Sequence, residues 1–288
     1  MSIVITGATG QLGRLVVADL LARGTAPGDI AAAVRDAGKA ADLAALGVEV
    51  RTADYERPET LKTAFEPGDK VLLISSSSID RRAVHNIAAV DAAAGAGVAL
   101  LAYTGILGGP DADFVTAGPH KVAETAILAS GLPYVFLRNG WYHENYTAHL
   151  GPVLESGALL GNAGSGRVAS AARADYAAAA AIVLTGDGHA GRAYELSGDT
   201  AWSLAEYAAV VSEVAGRPVE YRDLPADAHF EILVRAGLPD LHAYALVDVD
   251  AAIARGSLAA TNGELSRLIG RPTTPLRASV EAALAEPM

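Results

Sequence analysis

The sequence predicts an α/β fold: a doubly wound parallel sheet covered by helices on both faces, with a smaller, mostly helical C-terminal lobe. Three observations carry that expectation. Short β-branched runs alternate with helix-spaced patterns over the first two-thirds of the chain. The runs are almost continuously apolar instead of alternating, as expected of strands buried on both faces. The rhythm then breaks after Asn139, where glycine-rich, alanine-rich and finally helical stretches take over. Strand–helix alternation closes as a parallel sheet with right-handed crossovers.

The elements follow in order. Ile3–Thr6 reads as the first strand and Leu12–Ala22 as the first helix, with Leu12, Leu15, Val16, Leu20 and Leu21 at helical spacing. Then come strand Ile30–Val34, a helix around Lys39–Leu46, strand Val48–Thr52 and a helix around Pro58–Phe65. Lys70–Ser75 is the most hydrophobic strand, followed by helix Arg81–Ala94, strand Ala99–Thr104, helix Lys121–Ser130 and strand Tyr134–Leu137. Beyond Asn139, Gly157–Gly166 is glycine-rich, Ala174–Leu184 reads as a helix and Tyr194–Leu196 as a further strand. From Ser203 the chain is mostly helical, with a helix end at Gly216 and a short strand at Val219–Arg222. The expected division is a large domain of residues 1–140, to which 172–199 return, and a smaller lobe made of 141–171 and 200–288.

Composition narrows the chemistry. The 288 residues are 51% hydrophobic and 19% charged, a globular balance, and the net charge of −11 argues against a nucleic-acid partner. Without cysteine there are no disulfides, thiolate nucleophiles or thiolate metal sites, and no H-E-x-x-H occurs, so no metal site is expected. The longest apolar run, Tyr176–Leu184, is about half of a membrane-spanning helix, so no membrane span is expected. The N-terminal strand runs at once into Thr6-Gly7 without a signal peptide, and the expected location is the cytoplasm.

Gly7-Ala8-Thr9-Gly10-Gln11-Leu12-Gly13 lies between the first strand and the first helix. Glycines there permit a tight turn and let a pyrophosphate approach unpaired N–H groups at the helix start, the signature of a Rossmann-type dinucleotide site. Gly7, Thr9, Gly10, Gln11, Leu12 and Gly13 are therefore candidate cofactor contacts. Arg35 follows the second strand, where an acid would bind a ribose 2′-hydroxyl and an arginine suits a 2′-phosphate, which favours NADPH. Asp36 beside it keeps the opposite reading open, while Lys39 adds positive charge. Ser75, Ser76 and Ser77 end the fourth strand, where small polar groups can line the nicotinamide ribose or merely cap a loop. Asp54-Tyr55 ends the third strand. After the sixth, Asn139-Gly140-Trp141-Tyr142-His143-Glu144-Asn145 offers stacking rings and a fixed amide; packing of Trp141 and bracing of the loop by Asn145 are the competing roles. The Tyr-x-x-x-Lys pair of short-chain dehydrogenases is missing: Leu107 stands four after Tyr103, and no tyrosine precedes Lys121 at that distance.

These motifs together resemble the NmrA-like branch of atypical short-chain dehydrogenases, and within it the type 2 NAD(P)H:quinone oxidoreductases. The resemblance rests on Ile5–Gly13, Ala33–Asp36, Ala53–Glu56, Leu72–Ser77, Leu137–Tyr146, Ser170–Ala181, Tyr194–Asp199 and Leu268–Leu276. It implies NADPH along Gly7–Gly13, Arg35, Ser75–Ser77 and Asn139–Tyr142, with Arg173 contributing, and Tyr55 and Asn145 at the substrate; the ring of Tyr142 is a further candidate for stacking on it. The segment Gly108–His120 departs from the regular pattern. The expected function is NADPH-dependent hydride transfer to quinones or similar flat electrophiles. The rival is an NADP(H)-sensing redox regulator that works through protein partners without turnover. A nucleotide-sugar epimerase or dehydratase would want the missing Tyr/Lys pair. The oligomeric state stays open, with a homodimer among the options.

Overall fold

The computed structural model describes residues 1–285 and divides into two compact units. The first comprises Met1–Pro110, Gly118–Asn139 and Tyr176–Glu195. It is built on the strands β1 (Ile3–Thr6), β2 (Ile30–Val34), β3 (Glu49–Thr52), β4 (Lys70–Leu73), β5 (Leu100–Ile106) and β6 (Tyr134–Asn139), together with strand Arg192–Leu196. Their order is β3-β2-β1-β4-β5-β6 and then Arg192–Leu196, a seven-stranded parallel sheet. β1 is flanked by β2, with Val4 opposite Ala31, and by β4, with Val4 opposite Val71. The strand order reverses between β1 and β4, so the carboxyl ends of those strands open the crevice where such sheets bind ligands.

Continuous apolarity translates into double-sided burial. All five residues of β2 and all seven of β5 are buried, and Val4, Val71, Leu73, Leu101 and Tyr103 meet in one core. The first helix, Gln11–Ala22, buries Leu12, Gly13, Val16, Val17 and Leu20, whereas Leu15 and Leu21 are only half-buried. The buried face is thus turned by one residue from the expected stripe, because it centres on Gly13, where the helix comes closest to the preceding turn. β4 stops at Leu73, short of the expected Ser75, and the cause is local. Ile74 N donates to Thr6 Oγ1 at 2.9 Å and Ser75 N to Thr104 Oγ1 at 2.9 Å, so hydroxyls of neighbouring strands replace the ladder.

The second unit holds 111–117, 140–175 and the chain from 196 onward. Strand Ala158–Gly161 pairs in parallel with Glu220–Asp223, and Arg167–Val168 pairs antiparallel with Trp202–Ser203. Helix Leu204–Ala215 starts on a capping box between Ser203 and Glu206 and ends at left-handed Gly216. Trp202, Tyr146 and Tyr207 form an aromatic cluster with ring centroids 4.9–5.5 Å apart. The irregular stretch after Gly108 contains two 3₁₀ turns, and 111–117 belongs to this unit: Val115 N donates to Asp248 and Arg255 pairs with Asp113. Among the described residues no helix is long and apolar enough to cross a membrane.

Candidate active site

The glycine turn is built for close approach. Gly7 sits at φ 58°, a left-handed conformation that glycine adopts without strain, and Gly10 N donates to Gly7 O at 2.8 Å. A Cβ on Gly13 would stand 2.5 Å from Gly7 O and 2.7 Å from Ala8 Cα, so the helix can lie this near the turn only with glycine there. Gly10 caps helix Gln11–Ala22 without a side-chain acceptor, and the first turn carries no acid. The helix's first N–H groups are thereby left to a ligand, and an anionic pyrophosphate fits them. Gln11 is exposed and Thr9 half-buried at this end, while the Leu12 side chain points into the core and offers only its backbone.

Arg35 stands exposed after β2 and enters no ion pair among the described residues. The competing acid is occupied: Asp36 caps the turn Ala37–Ala40 by accepting from Gly38 N at 2.9 Å. Lys39 is exposed beside it, and its carbonyl accepts from Arg14 at 2.9 Å. A free guanidinium with a committed carboxylate fits a phosphate better than a bare ribose hydroxyl.

The serines after β4 are tied into a polar network. Ser76 Oγ lies 2.9 Å from His85 Nδ1, and His85 Nε2 lies 2.9 Å from Glu56. Ser76 N donates to Asn86 Oδ1 at 3.2 Å, and Asn86 Nδ2 reaches Ser75 Oγ at 3.3 Å. Ser77 is exposed. Tyr55 joins this group: its ring stacks on His85 at 5.7 Å and its hydroxyl donates to Ile74 O at 3.3 Å. Burial pushes the Tyr55 hydroxyl up to about 12.

The sequence marks Tyr103 only as a tyrosine without its lysine; the structure makes it the centre of the network. Tyr103 is 0% exposed; Asn86 Nδ2 donates to its oxygen at 3.0 Å and His120 Nδ1 lies 2.8 Å away. Burial drives the Tyr103 hydroxyl far above its ordinary range. Burial, helped by the charge of Arg82, drives His120 down to about 3. Ala117 stands four residues before Lys121 where a catalytic tyrosine would be. The usual dehydrogenase acid is therefore absent, and the tyrosine that is present is sealed in. At the end of β6, Arg138 bonds both oxygens of Glu124 at 2.9 and 2.7 Å and Glu195 at 2.7 Å, a structural brace.

In the second unit, the run after β6 is held against 169–173. Trp141 O accepts from Ala171 N at 3.1 Å and His143 N donates to Ala171 O at 3.0 Å. Glu144 accepts from Arg173 N with both oxygens, at 2.9 and 3.0 Å, and the Arg173 guanidinium lies 4.9 Å from the Tyr142 ring centroid. Asn145 N donates to Tyr142 O at 3.2 Å, but the Asn145 side-chain amide makes no hydrogen bond among the described residues. Tyr142 and Arg173 are thus in contact, with Asn145 one turn further along the backbone. Asn139 is buried, its carbonyl accepting from Leu107 N at 3.0 Å, and Gly140 N donates to Leu196 O at 2.7 Å.

Parallel sheet, strand-order reversal and uncapped glycine turn together define a dinucleotide-binding protein. The profile of the NAD(P)H-binding family matches residues 7–186. Quinone oxidoreductase 2 of Escherichia coli (strain K12) is 44% identical, over 96% of this chain and 97% of that protein. Among solved structures, the NADPH-dependent quinone oxidoreductase from Escherichia coli complexed with NADPH superposes with a TM-score of 0.94 at 43% identity, covering 98% of this chain and 99% of that one. Citrobacter sp. triphenylmethane reductase complexed with NADP(H) gives 0.92 at 39% identity, covering 98% and 100%. The chain belongs to the NAD(P)H-binding family, in the quinone oxidoreductase 2 group that its motifs resemble. These similarities favour the enzyme over the non-catalytic regulator.

Proposed function

We propose that this protein is an NADPH-dependent oxidoreductase that reduces quinones or similar flat electrophiles. The observation that carries the reading is the joint one: an uncapped glycine cradle for a dinucleotide in a chain 44% identical to a quinone oxidoreductase. NADPH, when bound, supplies the hydride. Gly7–Gly13 would hold the pyrophosphate and Arg35 the 2′-phosphate, with Ser75–Ser77, Asn139–Tyr142 and Arg173 completing the cofactor contacts. The lack of a Tyr/Lys acid suits this substrate class. A reduced quinone oxygen is phenolate-like, with a conjugate acid near pKa ~10, so neutral donors can hold its charge until water protonates it. Asn145 is assigned as that donor, and Tyr142 and Tyr55 are the candidate stacking rings for the substrate. The hydroxyl of Tyr55, bonded to Ile74 O, leaves its ring as the part that serves.

The net charge of −11 supports a small-molecule substrate over nucleic acid, and the reading places the enzyme in the cytoplasm. The deciding measurement is NADPH oxidation by the purified protein against a panel of quinones and simple ketones. Turnover with quinones well above that with ketones is expected. Tight NADPH binding without turnover of any quinone would turn the assignment toward a sensor.

A further inference from the structure

We propose that Arg82 anchors a negatively charged group on the electron acceptor, so that acceptors with an ionised ring substituent (a carboxylate, a sulfonate or an acidic ring hydroxyl) are preferred. The proposal rests on the quinone-reductase reading and adds a substrate class to it.

Charge is unevenly matched around the polar network of the first unit. Arg82 opens helix Arg82–Ala96, directly after the serines that end β4. Its Nε donates to Ser76 O at 2.6 Å, which fixes the plane of the guanidinium. Its Nη1 lies 3.5 Å from His120 Nε2. Burial lowers its pKa, which marks a cation partly stripped of water. Such a cation is costly unless an anion accompanies it.

No acid among the described residues fills that role. Neighbouring Arg81 pairs with Glu56, and Glu56 gives its other oxygen to His85 at 2.9 Å. Glu124, close enough to act on Tyr103, is bound by Arg138 through both oxygens. Arg82 enters no ion pair among the described residues. His120 is 8% exposed and neutral, and Tyr103 is neutral too, so neither cancels the charge. In a chain with eleven more acids than bases, 33 against 22, a half-buried arginine left without a carboxylate is a site built for an outside anion. It lies just past the carboxyl end of β4, on the side of the sheet that faces ligand in this fold class. A guanidinium with one edge pinned by a carbonyl still has donors for an oxyanion, and charge-assisted bonds of this kind are the strong ones.

The test compares a naphthoquinone with its ring-sulfonated analogue in wild type, Arg82→Gln, Arg82→Lys and Arg81→Gln. The quantity read is the ratio of kcat/KM for the sulfonated acceptor to kcat/KM for the neutral one. Arg82→Gln should lower that ratio about ten- to a hundredfold, the factor one charge-assisted contact supplies. Arg82→Lys should restore part of it, Arg81→Gln should leave it alone, and rising ionic strength should lower it in wild type. NADPH titration and thermal melting verify that each variant is folded and loaded. Equal losses for both acceptors in Arg82→Gln would overturn the proposal and make Arg82 a scaffold residue; an unchanged ratio would overturn it as well. Failure of wild type to reduce either acceptor would instead sink the quinone-reductase reading itself.

Discussion

Arg35 and Asp36 are adjacent in sequence and have opposite assignments, and cofactor choice follows from that difference. Asp36 is consumed by the Gly38 N–H, while Arg35 remains available to a phosphate. Charge-assisted bonds contribute about 1.5–3 kcal/mol apiece, one to two decades in affinity. Arg35→Asp should therefore weaken NADPH about ten- to a hundredfold in a fluorescence titration and leave NADH nearly unaffected. Equal wild-type affinities for the two cofactors, untouched by the change, would refute the role. Asn145 makes a second residue-level prediction. Its unbonded amide is assigned to the reacting oxygen, and losing one such donor costs on the order of a hundredfold in kcat. Asn145→Ala should cut quinone turnover by about that factor at constant NADPH affinity; a parallel loss of NADPH binding would make it a cofactor residue. Tyr103 should behave in the opposite way. Tyr103→Phe leaves one N–H of the Asn86 amide and one nitrogen of His120 without a partner in a buried site, which costs about 1–3 kcal/mol of stability in a urea melt. Turnover should stay within a few-fold, because a hydroxyl that is sealed from ligand and raised far above neutrality is no proton donor.

At the scale of elements, the first turn and helix act as one part. The Gly13 position tolerates no Cβ against backbone at 2.5 Å, whereas a Cβ on Gly10 would meet Gly7 O at 3.1 Å. Gly13→Ala must push the helix off the turn, so a loss of about 1–3 kcal/mol in stability is expected together with strongly weakened NADPH binding. Gly10→Ala should be milder on both counts; the reverse order in melting and titration would contradict the packing. This turn was legible in the sequence because glycine spacing and strand–helix context are local signals. So were the apolar strands, since burial on both faces leaves a continuous run. The end of β4 was not legible, since Thr6 and Thr104 decide it from strands 29 to 68 residues away. The Ser76–His85–Glu56 and Asn86–Tyr103–His120 networks were missed for the same reason. Their members are spread over five segments, and Ser76 and Tyr103, though each was visible alone, carry no local sign of the partners they meet. The excursion 111–117 left no mark beyond irregularity, because a few long-range bonds define it.

For the whole molecule, buried ionisable groups set the response to acid, and the sign follows from each group. Burial holds His120 down at about 3 and His143 at about 4, against an ordinary 6.5, so the folded chain refuses protons that the unfolded chain takes up. Each contributes stability that is present above pH 6.5 and is lost as pH falls toward its folded value, at about 1.4 kcal/mol per pH unit. Asp250 opposes them. Burial raises it to about 6, so between pH 6 and its ordinary 3.8 the folded state holds the extra proton and gains at a similar rate on acidification. His189 and His229, also held down by burial, act in the same direction as His120 and His143, so the losses outnumber the one gain and stability falls between roughly pH 6 and 4. Urea unfolding followed at pH 6.5, 5.5 and 4.5 should show it as a steadily falling midpoint. Asp250→Asn removes the opposing group and should steepen the fall, and His120→Gln should make it shallower. A midpoint that holds steady or rises on acidification, or an Asp250→Asn variant with an unaltered slope, would show that these groups do not keep the charge states assigned to them.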